Sequence, residues 1–292
     1  MIARRGLLGL SAAGLVAALG ACSRDATTTS STPGVSAADP TSTDGDRSVE
    51  RITYGEDPSQ YGDLYLPQGT PRGVVVVIHG GFWRDQYDLT LGAPLATSLA
   101  AAGWAAWNLE YRRTGTGVGG GGGNPETFDD VAAGIDKLAD LGVDTSTVIT
   151  LGHSAGGHLA TWAASRGRYP AWEGGVDVTH VISQAGVLDL VGADAANLGA
   201  GAVADLLGHA PGPEDVPLDP QQQVPLEQPV WCLHGTDDAN VPYSQSEQYV
   251  AAAGAAGGTA ELVTIEGGDH FVVIDVTSET WSRTLAILDT IA

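Results

Sequence analysis

A serine between glycines, in the stretch Gly-His-Ser-Ala-Gly-Gly at residues 152–157, is well placed for covalent chemistry. The apolar run at residues 148–151 precedes it, and a small-residue run typical of a helix follows. A strand, a sharp turn and a helix form a nucleophile elbow, which exposes the serine hydroxyl at the carboxyl end of a sheet. The alternative is a glycine-rich turn with a solvated serine. The flanking strand and helix favour Ser154 as a nucleophile that attacks a carbonyl carbon.

Such a serine needs a general base and an acid that orients it, and folds with this elbow supply the acid first and the base later in the chain. The loop after the predicted strand at residues 229–235 carries two adjacent candidates for the acid, Asp237 and Asp238. His270 is the only one of the seven histidines downstream of that loop. Chain order therefore selects His270 as the general base.

The loop after the apolar run at residues 74–78 is the expected source of an oxyanion hole. That run suits a central strand buried on both faces, and it ends in His-Gly-Gly-Phe-Trp at residues 79–83. Glycines let the backbone approach a substrate closely. The amides of Gly81 and Phe82 are therefore candidate donors, beside the amide of Ala155 directly after the nucleophile.

Four ring side chains flank these motifs. We expect Trp83 to line the substrate pocket, with an ordinary core position as the alternative. We expect His79 to hold its loop by a structural hydrogen bond. His153 is interpreted as a filler of the elbow, and His158 as a helix residue that packs or lines the site. Because His153 and His158 lie five residues apart, they do not share a helical face as a metal pair would. The sequence predicts no metal site.

The two motifs, followed by an aspartate and by His270, resemble those of the α/β-hydrolases of the carboxylesterase and kynurenine formamidase (arylformamidase) group. The His-Gly-Gly-x-Trp form is especially similar to the formamidases, whereas the hormone-sensitive-lipase branch usually has a third glycine where this chain has Phe82. The resemblance spans roughly residues 50–292. It implies a Ser-His-Asp acyl-enzyme mechanism with no metal and no organic cofactor.

The same resemblance favours Asp238 as the acid. In related hydrolases the acid lies four residues after the histidine of a His-Gly pair, shortly before Val-Pro, as Asp238 does here. Asp237 remains the alternative, and an exposed turn aspartate is its ordinary interpretation.

Strands alternating with helices from residue 50 onward predict the α/β-hydrolase fold: one mostly parallel sheet covered by helices on both faces. Residues 49–292 are expected to form one catalytic domain. Residues 192–228, with a short helix at 200–207, are expected to form a small cap that shapes the pocket, with a plain surface excursion as the alternative. The glycine tract at 114–123 lacks the Gly-Lys-Ser/Thr of a phosphate loop and is interpreted as a flexible surface loop.

The first residues predict an export signal. Paired arginines precede an apolar stretch of 14 residues, which is short for a membrane span and suited to a signal peptide. Residues 1–21 resemble a lipoprotein signal, with Cys22 as the lipidated residue, and the arginines also resemble a twin-arginine signal. Residues 22–48 have the composition of a disordered tether. We therefore expect an exported protein anchored to the outer face of the bacterial membrane through this lipid alone.

The formal net charge of −22 makes nucleic acid an improbable partner, because binding phosphates requires a basic surface. A small-molecule ester is the first substrate prediction. An aryl formamide is the second and a small peptide the third. The alternative outside the enzymes is a catalytically inactive binding module on the cell surface. The sequence leaves the oligomeric state open.

Overall fold

The computed structural model describes residues 49–292. The predicted signal peptide (1–21), the lipidation site Cys22 and the tether (22–48) lie outside the described residues. Eight strands are described: β1 Val49–Thr53, β2 Tyr61–Tyr65, β3 Val74–Ile78, β4 Ala105–Leu109, β5 Val148–His153, β6 His180–Gln184, β7 Val230–Gly235 and β8 Ala260–Ile265. Seven α-helices are described: α1 Ala93–Ala101, α2 Glu126–Asp136, α3 Ala155–Ala163, α4 Leu190–Ala195, α5 Ala202–Leu207, α6 Ser244–Ala255 and α7 Glu279–Ile291.

The strands form one sheet in the order β1-β2-β4-β3-β5-β6-β7-β8. β2 runs antiparallel to both β1 and β4, and every pairing from β4 to β8 is parallel. The carboxyl ends of the parallel strands therefore meet at one edge, where ligands bind in open α/β sheets. The predicted α/β-hydrolase fold is confirmed.

The central strand β3 is buried on both faces, as its apolar sequence predicts. Val74, Val76 and Ile78 pack into the larger of two hydrophobic clusters. Val75 and Val77 pack into the other cluster, which includes side chains of α1 and α7. Side chains of a strand alternate between faces, so helices must cover both sides of the sheet. Helices packed on both faces hold the sheet rigid, and with it the carboxyl ends of the strands, where the candidate site lies.

The outer strands are more exposed than the centre. β1 carries Glu50 and Arg51 as exposed residues, and Arg51 forms an ion pair of 2.8 Å with Asp63 of β2. At the other side of the sheet, β8 is half-buried and exposes Glu261. None of the helices within residues 49–292 is long and apolar enough to cross a membrane.

The predicted cap segment contains α4 in part, α5 and two short 3-10 turns, Pro213–Leu218 and Pro220–Gln223. Apolar side chains of α4 and α5 join the larger hydrophobic cluster, so the segment packs on the domain. The glycine tract is also held in place: its backbone forms internal hydrogen bonds, and the Gly117 amide donates to the Asp85 carboxylate at 2.6 Å. It is therefore an anchored loop, which differs from the predicted flexible one.

Candidate active site

Ser154 lies on a strained turn between β5 and α3. Its φ of 57° and ψ of −120° are unusual for a residue with a side chain. The flanking glycines make this turn possible. A Cβ on Gly152 would lie 2.0 Å from the Gly156 carbonyl oxygen, and a Cβ on Gly156 would lie 2.0 Å from the Ile78 carbonyl oxygen. The glycines of the sequence motif are thus required by backbone contact.

The loop after β3 lies directly against this turn. A Cβ on Gly80 would lie 2.6 Å from the His153 carbonyl oxygen and 3.0 Å from the Ser154 Cβ. Gly81 and Phe82 follow with φ angles of 115° and 54°. Ala155 is the first residue of α3, and the first amides of a helix have no acceptor within the helix. The structure thus brings the loop with the two predicted donors against the turn that carries Ser154 and Ala155.

A buried cluster of His79, Glu110 and Arg113 holds the start of that loop. His79 Nε2 lies 3.2 Å from Glu110 Oε1, and its Nδ1 lies 2.8 Å from the Gly80 carbonyl oxygen. Arg113 forms a buried ion pair with Glu110. Burial raises the pKa of Glu110, but the contacts with His79 and Arg113 more than offset it and leave the pKa below its usual value. The expected structural role of His79 agrees with these contacts.

Asp238 and His270 form the acid–base pair of the site. The Asp238 Oδ2 accepts a hydrogen bond from His270 Nδ1 at 2.7 Å, and the acid side chain is fully buried. Its Oδ1 accepts the amides of Asn240 and Val241, each at 2.8 Å. Asp237 instead is exposed, and its carboxylate contacts the neighbouring Thr236 hydroxyl at 3.4 Å. Of the two adjacent candidates, the structure therefore brings Asp238 to the histidine.

The electrostatics of Asp238 favour its charged form. Burial alone raises the pKa of a carboxyl group, because it disfavours the anion. The hydrogen bonds from His234 and His270 outweigh burial, so the pKa of Asp238 stays well below its ordinary value. Asp238 is therefore an anion at neutral pH and can stabilise a protonated His270.

Ser154 and His270 line the same cavity, whose volume is about 130 Å³. The lining is mostly apolar and consists of Gly81, Phe82, Tyr87, Leu91, His153, Ser154, Asn240, His270, Phe271 and Ile274. Tyr87, Leu91 and Phe271 are each at least 40% exposed, although large apolar side chains are usually covered. We call these three residues the apolar rim. The cavity is thus a small, mostly apolar site with three exposed apolar residues in its lining.

Two predictions about the pocket wall need correction. Trp83 is fully buried and is absent from the cavity lining; its ring packs edge-on against His158, with the ring centroids 5.2 Å apart. The positive φ of 55° at Trp83 belongs to a turn after which the tryptophan lies in the core. The predicted cap residues 192–228 likewise contribute no side chain to the lining. They adjoin the site at Gly199, beside the Phe82 ring.

Two histidines have larger roles than their sequence positions indicate. His153 lines the cavity, and its Nε2 donates to the His270 carbonyl oxygen at 2.9 Å. Burial, followed by the proximity of His270, lowers the pKa of His153 to about 3, so this ring is neutral at neutral pH. His234, at the end of β7, contacts the catalytic acid candidate Asp238 at 3.2 Å. Its position four residues before the acid, at the end of a buried strand, is the signal that could have revealed it.

A metal-binding arrangement is absent from the cavity lining. Within residues 49–292, the ligand atoms of His209, Glu214 and Asp215 lie within 4.8 Å of one another. His209 and Glu214 are exposed, and the Asp215 carboxylate already accepts the Gly212 amide at 2.8 Å. The chemistry available at Ser154 is therefore that of a serine, an imidazole and a carboxylate.

Comparisons with known proteins agree with this architecture. The BD-FAE family model matches residues 63–252. A probable isoprenylcysteine alpha-carbonyl methylesterase of Oryza sativa subsp. japonica is 28% identical over 248 residues, which cover 76% of this chain and 58% of that protein. Esterase LipQ of Mycobacterium tuberculosis is 27% identical over 243 residues, which cover 76% of this chain and 55% of that protein. The chain thus spans little more than half the length of these curated relatives.

Solved structures share the fold. Esterase B from Lactobacillus rhamnosis superposes with a TM-score of 0.72 at 23% identity, covering 86% of this chain and 87% of that one. A carbohydrate esterase from gut microbiota gives a TM-score of 0.69 at 22% identity, covering 82% and 94%. The formamidase part of the sequence resemblance stays a prediction. Since the family model covers well over half of the sequence, the chain belongs to the BD-FAE family and is a carboxylesterase-like α/β-hydrolase.

Proposed function

We propose that the protein hydrolyses carboxylic esters through a covalent acyl-enzyme on Ser154. The hydrogen bond of 2.7 Å from His270 to the buried Asp238 carries this proposal, together with the cavity that His270 and Ser154 line jointly. Because His270 Nδ1 is bonded to the acid, Nε2 is the atom that takes the proton from the serine hydroxyl. The serine oxygen then bonds to the ester carbonyl carbon, and the carbonyl oxygen becomes an oxyanion.

The backbone stabilises that oxyanion. The amide of Ala155 and one amide from Gly81 or Phe82 donate to it. Collapse of the intermediate breaks the ester C–O bond, and His270 gives its proton to the leaving alcohol. A water molecule, deprotonated by His270, then releases the acid and restores the serine. The strained turn and the glycine contacts hold Ser154 in position for both steps.

The cavity supports a neutral substrate with a small apolar group. At about 30 Å³ for one water-sized group, 130 Å³ holds roughly four such groups. The lining residues carry no lysine, arginine or acid, so a charged group there would lose its hydration without gaining a permanent opposite charge. The apolar rim can cover a larger apolar part of the substrate outside the cavity. A small apolar ester group inside, with the remainder on the rim, fits this shape.

The relatives support ester hydrolysis by name, since they include a probable methylesterase and an esterase. The predicted aryl formamide activity has the support of the His-Gly-Gly-x-Trp sequence, but Trp83 is buried away from the cavity. The ester therefore remains the favoured substrate.

The experiment compares the wild-type protein with Ser154→Ala on short aryl esters and on an N-formyl aryl amine. We expect kcat on the esters to fall by on the order of 10³-fold or more in the variant. A fluorophosphonate probe should label the wild type and leave the variant unlabelled. An unchanged turnover in Ser154→Ala would overturn the mechanism, and a higher kcat/KM on the formyl amine would replace the ester by the amide.

We also propose that the protein is exported and anchored by a lipid on Cys22. The support is the sequence pattern of residues 1–22, which ends in Leu-Gly-Ala-Cys. Incorporation of labelled fatty acid in a bacterial host should occur in the full chain and stop in Cys22→Ser. Equal labelling of both proteins would refute the anchor.

A further inference from the structure

His234 is a second histidine that contacts Oδ2 of the catalytic acid candidate, beside His270. Its side chain is fully buried and is absent from the cavity lining. Nε2 lies 3.0 Å from the Val241 carbonyl oxygen and 3.2 Å from Asp238 Oδ2. Nδ1 lies 2.7 Å from the Ser246 hydroxyl of α6. His234 thus connects the acid, the acid loop and a helix.

The partners of His234 fix where its proton lies. A carbonyl oxygen and a carboxylate oxygen can only accept hydrogen bonds, so Nε2 must carry a hydrogen. In the neutral ring Nδ1 is then an acceptor, and the Ser246 hydroxyl can donate to it. Ser246 therefore favours the tautomer that presents an N–H to Asp238.

All the hydrogen-bond directions of Asp238 are then used. The amides of Asn240 and Val241 hold Oδ1, whereas the two histidines share Oδ2. Without His234, the only side chain on Oδ2 would be His270, which gains and loses a proton in each cycle. The contact of His234 Nε2 with Oδ2, at 3.2 Å, is a second restraint on this oxygen.

We propose that His234 is a positioning residue for the reaction, which fixes the orientation of Asp238 and tunes its pull on the His270 proton. This inference rests on the proposed serine mechanism. His234 does not touch substrate and acts through the acid. The titratable groups near it are Asp238 and, through that acid, His270, together with His153, the Tyr243 ring at a centroid distance of 5.7 Å, and the buried Cys232, which contacts Ser246.

The pH profile separates this role from simple packing. A donor from His234 withdraws part of the negative charge of Asp238 from His270. When that donor is lost, the full negative charge of the acid acts on His270 and attracts its proton more strongly. The acidic limb of kcat/KM must then move to higher pH.

The experiment compares His234→Leu with His234→Gln, whose amide can place a donor near the lost Nε2. We expect His234→Leu to lower kcat by about 10- to 100-fold, with KM changing less than about threefold, and to move the acidic limb upward. His234→Gln should recover most of kcat and bring the limb back toward the wild-type position.

Two further variants complete the test. Cys232→Ala, on the same buried strand, should lower the melting temperature and leave the limb in place. Ser246→Ala removes the hydroxyl that sets the tautomer, and should move the limb upward by less than His234→Leu. A wild-type limb in both Ser246→Ala and His234→Leu would overturn the proposal, and if His234→Leu does not fold, a wild-type limb in Ser246→Ala alone would do so. Inactivity of Ser154→Ala, measured beside these variants, shows separately whether the serine mechanism itself holds.

Discussion

The two sides of the candidate active site are held in place by different kinds of contact. On the nucleophile side, backbone packs on backbone: Gly152 and Gly156 each leave no room for a Cβ. On the acid–base side, side-chain hydrogen bonds fix Asp238 and His270. The first kind of contact depends on shape, and the second depends on protonation.

This difference separates geometry from tuning. Steric contacts in a close-packed interior hardly respond to pH, and they place the serine in one conformation. Hydrogen bonds to a buried carboxylate set both its position and its proton affinity. The nucleophile side should therefore fail through misfolding or displacement, whereas the acid–base side should fail in rate while the fold persists.

The largest effect is expected on the acid–base side. Asp238→Asn removes the charge that stabilises the His270 imidazolium and can favour the wrong ring tautomer. We expect kcat to fall by on the order of 10³- to 10⁴-fold with a nearly unchanged melting curve. Asp237→Asn, one residue away and exposed, is the matched control and should retain the wild-type kcat. The reverse result would make Asp237 the catalytic acid.

Gly156→Ala tests the nucleophile side. Its new methyl group would meet the Ile78 carbonyl oxygen at 2.0 Å, so the elbow must shift. We expect the free energy of unfolding to drop by about 3 kcal/mol and kcat to fall together with it. Gly254→Ala is the control, since a Cβ there meets nothing within 4 Å in α6, and it should stabilise by about 0.5–1 kcal/mol. Denaturant unfolding measures both, and equal effects would contradict the steric argument.

Acid tests the nucleophile side in a second way, through two buried histidines on the strand and helix that flank Ser154. Burial lowers the pKa of His153 to about 3 and that of His158, on α3, to about 4. Unfolding restores ordinary values near 6.5, so the unfolded chain binds more protons below that pH. Stability is then present above pH 6.5 and declines as the pH falls toward 4, by about 1.4 kcal/mol per pH unit for each histidine.

Urea unfolding between pH 6.5 and 5 measures that slope. In His158→Leu the slope should decrease by the share of one histidine, whatever the stability of the variant at neutral pH. An unchanged slope would mean that His158 is already protonated in the folded protein or stays neutral in the unfolded one.

The smallest effects concern the pocket wall. Phe271→Ala removes part of the apolar rim, where the side chain is 57% exposed, so we expect KM for an apolar ester to rise by about three- to tenfold with little loss of stability. Trp83→Phe should do the opposite: a loss of about 1–3 kcal/mol in unfolding free energy and an unchanged KM. A KM change in Trp83→Phe would restore its predicted place in the pocket.

The nucleophile side of the site, which depends on steric contacts, is also the side that the sequence predicts well. Glycines at fixed spacing after an apolar run specify the turn at Ser154, because no other residue fits. The buried strands β3 and β5 follow from continuous apolar runs for a similar reason. The confirmed fold class rests on these local signals.

The acid–base side is only partly predictable from the sequence. Chain order selects His270, and the spacing of four residues places His234 near Asp238 along the chain, but the contact itself depends on how β7 and α6 pack. Trp83 illustrates a related difficulty. Its neighbours in sequence belong to the site, but a turn with positive φ leaves its ring in the core. The backbone conformation of one residue decides whether the Trp83 ring lines the cavity or lies in the hydrophobic core, and the residue types alone do not reveal that conformation.

The two outer strands of the sheet have a consequence for the behaviour of the protein in concentrated solution. An unpaired strand edge offers amides and carbonyls to another chain and can nucleate aggregation. Here Glu50 and Arg51 lie exposed on β1, and Glu261 lies exposed on β8. Bringing two such edges together would strip these charges of water, so copies of the domain resist joining into a continuous intermolecular sheet.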